Sequence, residues 1–196
     1  NKRVFVTGHT GFKGTWLCFI LNYLGANVIG YSLKQSPYDN FDFYKTINLK
    51  KKIKSYNGDI LDKKRLSTII KTNKPQIFFH LAAQSLVIKS YLDPKTTFET
   101  NIMGAANVLD ICKDQKYLNS LIIVTSDKCY LDLGQKKNFK EDSPLGGNDP
   151  YSCSKAMVER LVKIYLKRIY KNTSIGLATV RAGNVIGGGD FSENRI

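Results

Sequence analysis

The segment RVFVTGHTGFKGTWL, residues 3–17, decides the fold. It begins with a short apolar, β-branched run that predicts a buried strand, and it ends in the first residues of a helical pattern. Between them stand three glycines at three-residue spacing, Gly8, Gly11 and Gly14. In a strand–turn–helix unit such glycines let the backbone approach a pyrophosphate, and the helix N-terminus supplies N–H donors. A merely tight turn would also use glycine, but this context favours a dinucleotide-binding loop.

Apolar strands alternate with amphipathic helices along the rest of the chain. Several strands are apolar almost throughout, which is typical of a parallel sheet covered by helices on both faces. The sequence therefore predicts a doubly wound α/β domain. Strands are expected over residues 3–8, 27–32, 53–59, 76–83, 120–126 and 174–183, helices over 14–25, 62–73, 93–116 and 149–170, and a loop with a short helix over 33–52.

The composition is that of a folded globular domain. Of the 196 residues 42% are hydrophobic, and no stretch reaches the roughly 18 apolar residues of a membrane helix. The four cysteines lie far apart and there are only two histidines, so we expect no metal site and no disulfide framework. A reducing cytoplasm fits this cysteine usage.

The formal charge of +14 allows two interpretations. Strongly basic proteins often bind a polyanion such as nucleic acid. Here the lysines are scattered, and they are not interleaved with aromatic residues as in a nucleic-acid groove. We therefore expect lysine-rich solvated faces and a phosphate-binding site, and no nucleic-acid partner.

Three polar residues lie at the end of the fifth predicted strand and directly after it, namely Ser126, Asp127 and Lys128. Such groups are costly to desolvate at the end of a core strand, so their presence there indicates chemistry. Farther along, Tyr151 and Lys155 lie one helical turn apart and share a helix face. A phenol titrates near ~10 in water, but an adjacent ammonium favours the phenolate and makes Tyr151 a candidate base near neutral pH. The pair also occurs by chance in amphipathic helices, but the glycine loop and Ser126 favour the catalytic interpretation.

The glycine loop and the order Ser, Tyr, Lys along the chain resemble the extended branch of the short-chain dehydrogenase/reductase superfamily. The resemblance implies an NAD-binding, Rossmann-like domain in which Ser126 bonds a substrate hydroxyl, Tyr151 takes its proton and Lys155 also binds the nicotinamide ribose. It implies further cofactor contacts from Gly8, Thr10, Gly11, Phe12, Gly14, Asp59, Ile60, Leu81, Ala82, Ala83 and Gln84.

The end of the second strand departs from the pattern of that superfamily. The acidic residue expected there to hold the ribose hydroxyls is absent, and the chain reads Tyr31, Ser32, Leu33, Lys34. The choice between NAD and NADP therefore stays open, since Lys34 is able to meet a 2′-phosphate.

The residues around the candidate catalytic groups carry a finer resemblance. Asp127 and Lys128 stand where nucleotide-sugar 4,6-dehydratases carry an acid/base pair, whereas epimerases of the same branch have small neutral residues there. With a lysine in place of the usual glutamate, this sequence resembles the branch of that family that acts on CDP-glucose. The matching motifs are HLAAQSLV (80–87), YLDPKTTFETNIMG (91–104), LGGNDPYS (145–152) and RAGNVIGGGD (181–190).

This finer resemblance implies a lyase that uses NAD to convert CDP-glucose to a 4-keto-6-deoxy sugar nucleotide, for the deoxysugars of surface polysaccharides. Tyr151 would deprotonate the 4-hydroxyl and Asp127 would protonate the departing 6-hydroxyl, while Asn101 and Asn184 would contact substrate. The role of Lys128 stays open, because only its neutral form could act as the C5 base and its charged form could instead stabilise an enolate.

We interpret residues 1–196 as the cofactor domain of such an enzyme. The chain starts at Asn1 instead of Met and stops at Ile196 just after a glycine-rich loop, so we expect residues to be missing in front and a C-terminal substrate lobe to follow. The resemblance also implies a cytoplasmic homodimer paired through the helices at 93–116 and 150–170. Alternatives are another nucleotide-sugar dehydratase or epimerase, or a non-catalytic cofactor-sensing or nucleic-acid-binding protein on the same scaffold.

Overall fold

A six-stranded parallel sheet forms the centre of the computed structural model, which describes residues 1–34, 43–132, 134 and 138–190. The strands are β1 (Arg3–Thr7), β2 (Asn27–Ser32), β3 (Lys54–Asn57), β4 (Ile77–His80), β5 (Ser120–Val124) and β6 (Gly176–Val180). Their order in the sheet is β3-β2-β1-β4-β5-β6, so successive strands are added to one side of β1 up to β3 and to its other side from β4 onward. This confirms the expected doubly wound α/β architecture.

Helices cover both faces of the sheet and account for its apolar strands. The helices are α1 (Phe12–Tyr23), α2 (Phe43–Thr46), α3 (Lys63–Asn73), α4 (Val87–Leu92), α5 (Pro94–Phe98), α6 (Gly104–Cys112) and α7 (Pro150–Ile164). In β1, Phe5 points to one face and packs in a core with helices α3, α6 and α7, whereas Val4 and Val6 point to the other face and pack with α1 and α2. Burial on both faces explains why the central strands are continuously apolar.

The helix expected over 93–116 is wrong as one continuous α-helix. It consists of α5, a π-helical turn over Glu99–Met103 and α6, and it ends at Cys112. The short helix α4 precedes it and was not expected. The break between α4 and α5 falls at Asp93, because the following proline disfavours the helical conformation there. Asp93 instead caps α5, accepting a hydrogen bond of 3.0 Å from the Thr96 N–H.

The other differences concern the ends of elements. Helix α1 begins two residues earlier than expected, at Phe12, and β6 is shorter than residues 174–183. Helix α7 is extended by a π-helical turn over Tyr165–Ile169. Of the expected loop over 33–52, the described part contains α2 and a 3₁₀ turn over Leu49–Lys51, and residues 35–42 lie outside the described residues.

The structure also bears on metals, disulfides and membranes. None of the four cysteines is in a disulfide. Within the described ranges, no three His, Cys, Asp or Glu side chains lie together in a way that could hold a metal ion. No helix in the described part of the chain is both long and apolar enough to cross a membrane.

Candidate active site

A cleft of about 660 Å³ lies at the carboxyl ends of the strands, beside the point where the strand order reverses. Ligands of open α/β sheets bind at this position, because neighbouring loops there diverge to opposite faces of the sheet. Ser126, Asp127, Lys128 and Tyr151, which the sequence analysis selected as catalytic candidates, all line this cleft. Asn184, a predicted substrate contact, also lines it.

Close packing requires two of the glycines in the loop between β1 and α1. A Cβ on Gly14 would lie 2.1 Å from the Gly8 carbonyl oxygen, and one on Gly8 would lie 2.9 Å from the Ala82 nitrogen. Gly8 also has a positive φ of +72°. Because Gly8 and Gly14 have no Cβ, α1 lies close to β1, and the loop after β4 lies close to both.

Gly11 differs, since the atom nearest to a Cβ added there would be 3.5 Å away, an ordinary contact. It is the N-cap of α1, and among the described residues no side chain caps that helix end. The space beside Gly11 and the N–H groups of the first turn therefore suit an approaching pyrophosphate, which is the role predicted for this loop.

The remaining predicted cofactor residues have different positions. Thr10 lies in the glycine loop, where its hydroxyl is 2.9 Å from the Ser32 hydroxyl at the end of β2. The ring of Phe12 lies against the loop at Gly187. Asp59 is exposed after β3 and accepts a hydrogen bond from the Leu61 N–H. Ile60 is only 4% exposed and its side chain belongs to the core, so only its backbone is available to a ligand.

The loop after β4, Leu81–Ala82–Ala83–Gln84, is held by β1. The hydroxyl of Thr7 accepts hydrogen bonds of 3.2 Å from the Leu81 and Ala82 N–H groups, and it lies 2.8 Å from His80 Nδ1. With two donors already on its oxygen, the Thr7 hydroxyl donates its own hydrogen to Nδ1, which assigns the Nε2-protonated tautomer to His80. Burial, together with the charge of Lys155, lowers the pKa of His80 to about 3, so His80 is neutral.

Asn101 does not face the cleft, although it was predicted to contact substrate. It is 2% exposed, and its side chain accepts from the Gln84 N–H (2.8 Å) and donates to the Gln84 carbonyl (3.1 Å) and the Ser154 hydroxyl (2.8 Å). Asn101 lies in the π-helical turn, and its side chain joins the loop after β4 to helix α7. The Gln84 side chain is likewise bonded within the protein, to Leu86 and Thr97.

The three polar residues after β5 form one compact turn. The Ser126 hydroxyl donates a hydrogen bond of 2.9 Å to Asp127 Oδ1 and accepts one of 3.3 Å from the Lys128 N–H. Asp127 and Lys128 are exposed to the cleft on a single 3₁₀ turn, whereas Ser126 is buried. A hydroxyl donor, a carboxylate and an amine therefore meet at one edge of the cleft.

Tyr151 and Lys155 lie in the first two turns of α7 and are both buried. Pro150 begins the helix as expected, and Asp149 caps it by accepting from the Ser152 N–H at 2.9 Å. Lys155 Nζ is 5.8 Å from the centroid of the Tyr151 ring. Burial, together with the charge of Lys13, lowers the pKa of Lys155 to about 8. The lysine is therefore still mostly charged at neutral pH, where it favours the phenolate of its neighbour.

Sequence reasoning missed the buried ion pair between Glu159 and Arg181, whose atoms Oε2 and Nη2 are 2.8 Å apart. One signal was available, because Glu159 follows Tyr151 and Lys155 at four-residue spacing on the same face of α7. A charged residue on a buried helix face requires a partner. The partner itself was not visible in the sequence.

The parallel sheet, the glycine loop and the Ser126, Tyr151 and Lys155 side chains define a Rossmann-like protein of the extended short-chain dehydrogenase/reductase class. The chain belongs to the family described as GDP-mannose 4,6 dehydratase, whose model matches residues 5–187.

Relatives with curated names include two dehydratases. The chain is 42% identical to CDP-glucose 4,6-dehydratase of Salmonella typhimurium, over 100% of this chain and 55% of the relative. It is 32% identical to dTDP-D-glucose 4,6-dehydratase of Dictyostelium discoideum, over 100% of this chain and 46% of the relative. The chain thus spans about half the length of the curated relatives it matches.

Solved structures have the same architecture. dTDP-glucose 4,6-dehydratase from Bacillus anthracis in complex with NAD matches with a TM-score of 0.73 at 25% identity, over 92% of this chain and 54% of that one. UDP-glucose 4-epimerase from Brucella ovis in complex with NAD matches with a TM-score of 0.78 at 22% identity, over 94% and 52%. The epimerase match shows the fold alone.

Proposed function

We propose that this chain is the cofactor domain of an NAD-dependent dehydratase that converts CDP-glucose to CDP-4-dehydro-6-deoxyglucose and water. The observation that carries the proposal is the meeting of Ser126, Asp127 and Lys128 with Tyr151 in one cleft, with Lys155 buried beside the Tyr151 ring. Ser126, Tyr151 and Lys155 suit oxidation of a hydroxyl, and Asp127 and Lys128 add an acid and an amine for elimination. The 42% identity to a CDP-glucose 4,6-dehydratase supports the choice of nucleotide.

The residues present fit a bound dinucleotide. The space beside Gly11 and the N-terminus of α1 suit its pyrophosphate, and Gly8 and Gly14 bring the loop close enough for that contact. The loop Leu81–Ala82–Ala83–Gln84 would line the cofactor beyond the pyrophosphate, with Asp59 near its adenine end. Bound NAD supplies an acceptor for a hydride from the sugar and a donor that returns it. NAD in the related dehydratase structure supports NAD over NADP.

The oxidation step uses the buried pair on α7. Tyr151 takes the proton of the 4-hydroxyl of glucose, while the Ser126 hydroxyl orients that oxygen by a hydrogen bond. Lys155, whose Nζ lies 5.8 Å from the centroid of the Tyr151 ring, favours the phenolate and would hold the nicotinamide ribose. The 4-ketone that results acidifies the neighbouring C5 proton and so prepares the elimination.

The elimination step uses the exposed turn after β5. Asp127 gives a proton to the 6-hydroxyl as the C6–O bond breaks. A base takes the C5 proton at the same stage, so the electron pair of the C5–H bond forms a C5=C6 double bond and one water is lost. Return of a hydride to C6 and uptake of a proton at C5 would then give the 4-dehydro-6-deoxy sugar. Lys128 lies beside this position on the same 3₁₀ turn. Its neutral amine would act as the C5 base, whereas its ammonium would stabilise the enolate, and both roles fit the geometry.

Of the two asparagines predicted to contact substrate, one lines the cleft and the other supports it from within the fold. Asn184 lines the cleft and is the proposed contact to the sugar nucleotide, whereas Asn101 acts by holding the loop at Gln84 against α7. We assign residues 1–196 to the cofactor domain, and we propose that a C-terminal lobe completes the grip on the nucleotide. A cytoplasmic enzyme fits four cysteines outside disulfides.

A homodimer is part of the proposal. The π-helical turn before α6 and the outer face of α7 expose large apolar side chains, namely Met103, Met157 and Ile164, which are 54%, 48% and 59% exposed. A second copy of the chain would cover this face by packing the same two helices against it. Sedimentation of the complete natural polypeptide should give a dimer, and Met157→Glu should shift it to monomer.

Mass spectrometry tests the proposed reaction. The complete natural polypeptide is incubated with NAD and, in parallel, with CDP-glucose, dTDP-glucose and GDP-mannose. Loss of one water from CDP-glucose alone supports both the reaction and the nucleotide. If no sugar loses water although NAD binds, an epimerase or a non-catalytic cofactor-binding role replaces the dehydratase.

A further inference from the structure

A buried carboxylate, Glu159 on α7, joins three elements beside the cleft. Its Oε1 accepts a hydrogen bond of 2.5 Å from the Thr125 hydroxyl at the end of β5. Its Oε2 accepts from the Thr179 hydroxyl of β6 at 3.0 Å and from Arg181 Nη2 at 2.8 Å. Burial would raise the pKa of Glu159, but the hydrogen bonds from Arg181, Thr125 and Thr179 and the charge of Arg181 together lower it overall. The carboxylate is therefore charged at neutral pH.

Arg181 continues the network toward the segment after the catalytic turn. Its Nη1 donates to the Tyr130 hydroxyl at 3.0 Å and to the Glu141 carbonyl at 2.8 Å. The guanidinium also lies 4.9 Å from the centroid of the Tyr130 ring, which stacks on Phe139 at 4.6 Å. One arginine side chain thus connects Glu159 to the chain on the far side of the turn.

The network brackets the turn that carries Asp127 and Lys128. Thr125 lies just before the turn and Tyr130 just after it, and both are bonded to the Glu159–Arg181 pair. In addition, the Asp127 N–H donates to the carbonyl of Ala182, the neighbour of Arg181, at 3.1 Å. The position of the turn relative to α7 therefore depends on this pair.

The other catalytic candidates depend on the pair less. Tyr151 and Lys155 belong to a capped helix, packed against the sheet. Ser126 follows directly after Thr125, whose N–H continues the β5–β6 ladder with a bond of 2.8 Å to the Val180 carbonyl. Asp127 and Lys128, by contrast, stand exposed on one 3₁₀ turn.

We propose that Glu159 and Arg181 are positioning residues for the elimination step, holding Asp127 and Lys128 in register with the sugar that Tyr151 oxidises. The inference rests on the proposed dehydratase function. Loss of the pair should slow the departure of water. In that step a base takes the C5 proton, the electron pair of the C5–H bond forms a C5=C6 double bond, and the C6–O bond breaks as Asp127 gives its proton to the leaving oxygen. It should leave removal of the 4-hydroxyl proton nearly intact.

The test compares Arg181→Met, Arg181→Lys and Tyr130→Phe with the control Lys71→Met, which removes an exposed cation from α3, away from the proposed dimer face. In the complete natural polypeptide, reduction of NAD by CDP-glucose is followed by absorbance and water loss by mass spectrometry. Because misplacing a reacting group by about 1 Å costs up to ~100-fold, Arg181→Met should slow water loss about 10- to 100-fold and NAD reduction less than about threefold. Reduced cofactor should then accumulate, with partial recovery in Arg181→Lys.

A second readout needs neither cofactor nor sugar. Hydrogen exchange at the amides of residues 127–131 should become faster in Arg181→Met, and to a smaller extent in Tyr130→Phe, and stay unchanged in Lys71→Met. Tyr130→Phe removes only one hydroxyl and keeps the ring stack, so it serves if Arg181→Met does not fold. Equal slowing of the two steps, or unchanged exchange in both variants, would overturn the inference. A wild-type protein that dehydrates no sugar would instead overturn the proposed function.

Discussion

Replacing Gly14 by alanine should destabilise the fold. The added methyl would lie 2.1 Å from the Gly8 carbonyl oxygen and 2.8 Å from His9 Cα, well inside the 3.4 Å at which ordinary contact begins. Both neighbours are backbone, so relief requires α1 to move away from β1, and overpacking of this kind costs about 3 kcal/mol. Alanine is favoured over glycine within a helix by about 1 kcal/mol, which leaves a net loss of about 2 kcal/mol. For a chain of this size the melting temperature should fall by about 4–8 °C.

Gly11→Ala provides the matched control, with the opposite pattern. The nearest atom to its Cβ would be 3.5 Å away, and the backbone at φ −71°, ψ 165° suits alanine. The weaker N-cap and the stiffer unfolded chain nearly cancel, so stability should change by less than about 1 kcal/mol. The methyl would instead occupy the proposed approach of the pyrophosphate, and NAD should bind at least about tenfold more weakly.

Thermal unfolding and calorimetric titration with NAD separate the two effects. Gly14→Ala should lose stability, whereas Gly11→Ala should keep stability but lose affinity for NAD. A Gly14→Ala protein that melts with the wild type, or a Gly11→Ala protein that binds NAD as tightly as the wild type does, would contradict these roles of the two glycines.

Two further predictions concern titrating groups. Burial lowers the pKa of His9 from 6.5 to about 4, so between these pH values the unfolded chain binds a proton that the folded chain does not. The resulting stability is complete above pH 6.5 and falls by about 3 kcal/mol as the pH drops toward 4; urea unfolding of His9→Asn should show a shallower pH slope, and an equal slope would contradict the assignment. Lys155, with a pKa of about 8, should lose its charge above that pH, so single-turnover oxidation of CDP-glucose should slow on the alkaline side. Lys155→Arg should abolish this decline; a decline that persists would locate it in another group.

The parts of the fold that follow from neighbouring residues were predictable. The spacing of Gly8, Gly11 and Gly14 between a strand and a helix was enough to predict the turn and, with the alternating elements, the doubly wound sheet. The start of α5 was also readable, since Pro94 disfavours helix at the residue before it, and the expected helix did begin at residue 93. Helix α4, just before this break, was not expected.

Features that depend on contacts distant in the chain were not predictable. The π-helical turn at Asn101 is linked to bonds with Gln84 and Ser154, which lie 17 and 53 residues away. Arg181 meets Glu159 only because β6 pairs with β5, a register that no local pattern of residues specifies. The candidate catalytic residues were found without that register, since each follows a strand or starts a helix.

The measurement closest to the central claim is the reaction of CDP-glucose with the complete natural polypeptide and NAD in D₂O, read by mass spectrometry and proton NMR. If Asp127 and Lys128 carry out the elimination, the C5 proton of the sugar is removed. A hydrogen from the solvent must then replace it at C5. The expected product is a sugar nucleotide that has lost one water and carries one deuterium at C5. An intact CDP-hexose, unchanged or inverted at C4, would contradict the elimination role of Asp127 and Lys128.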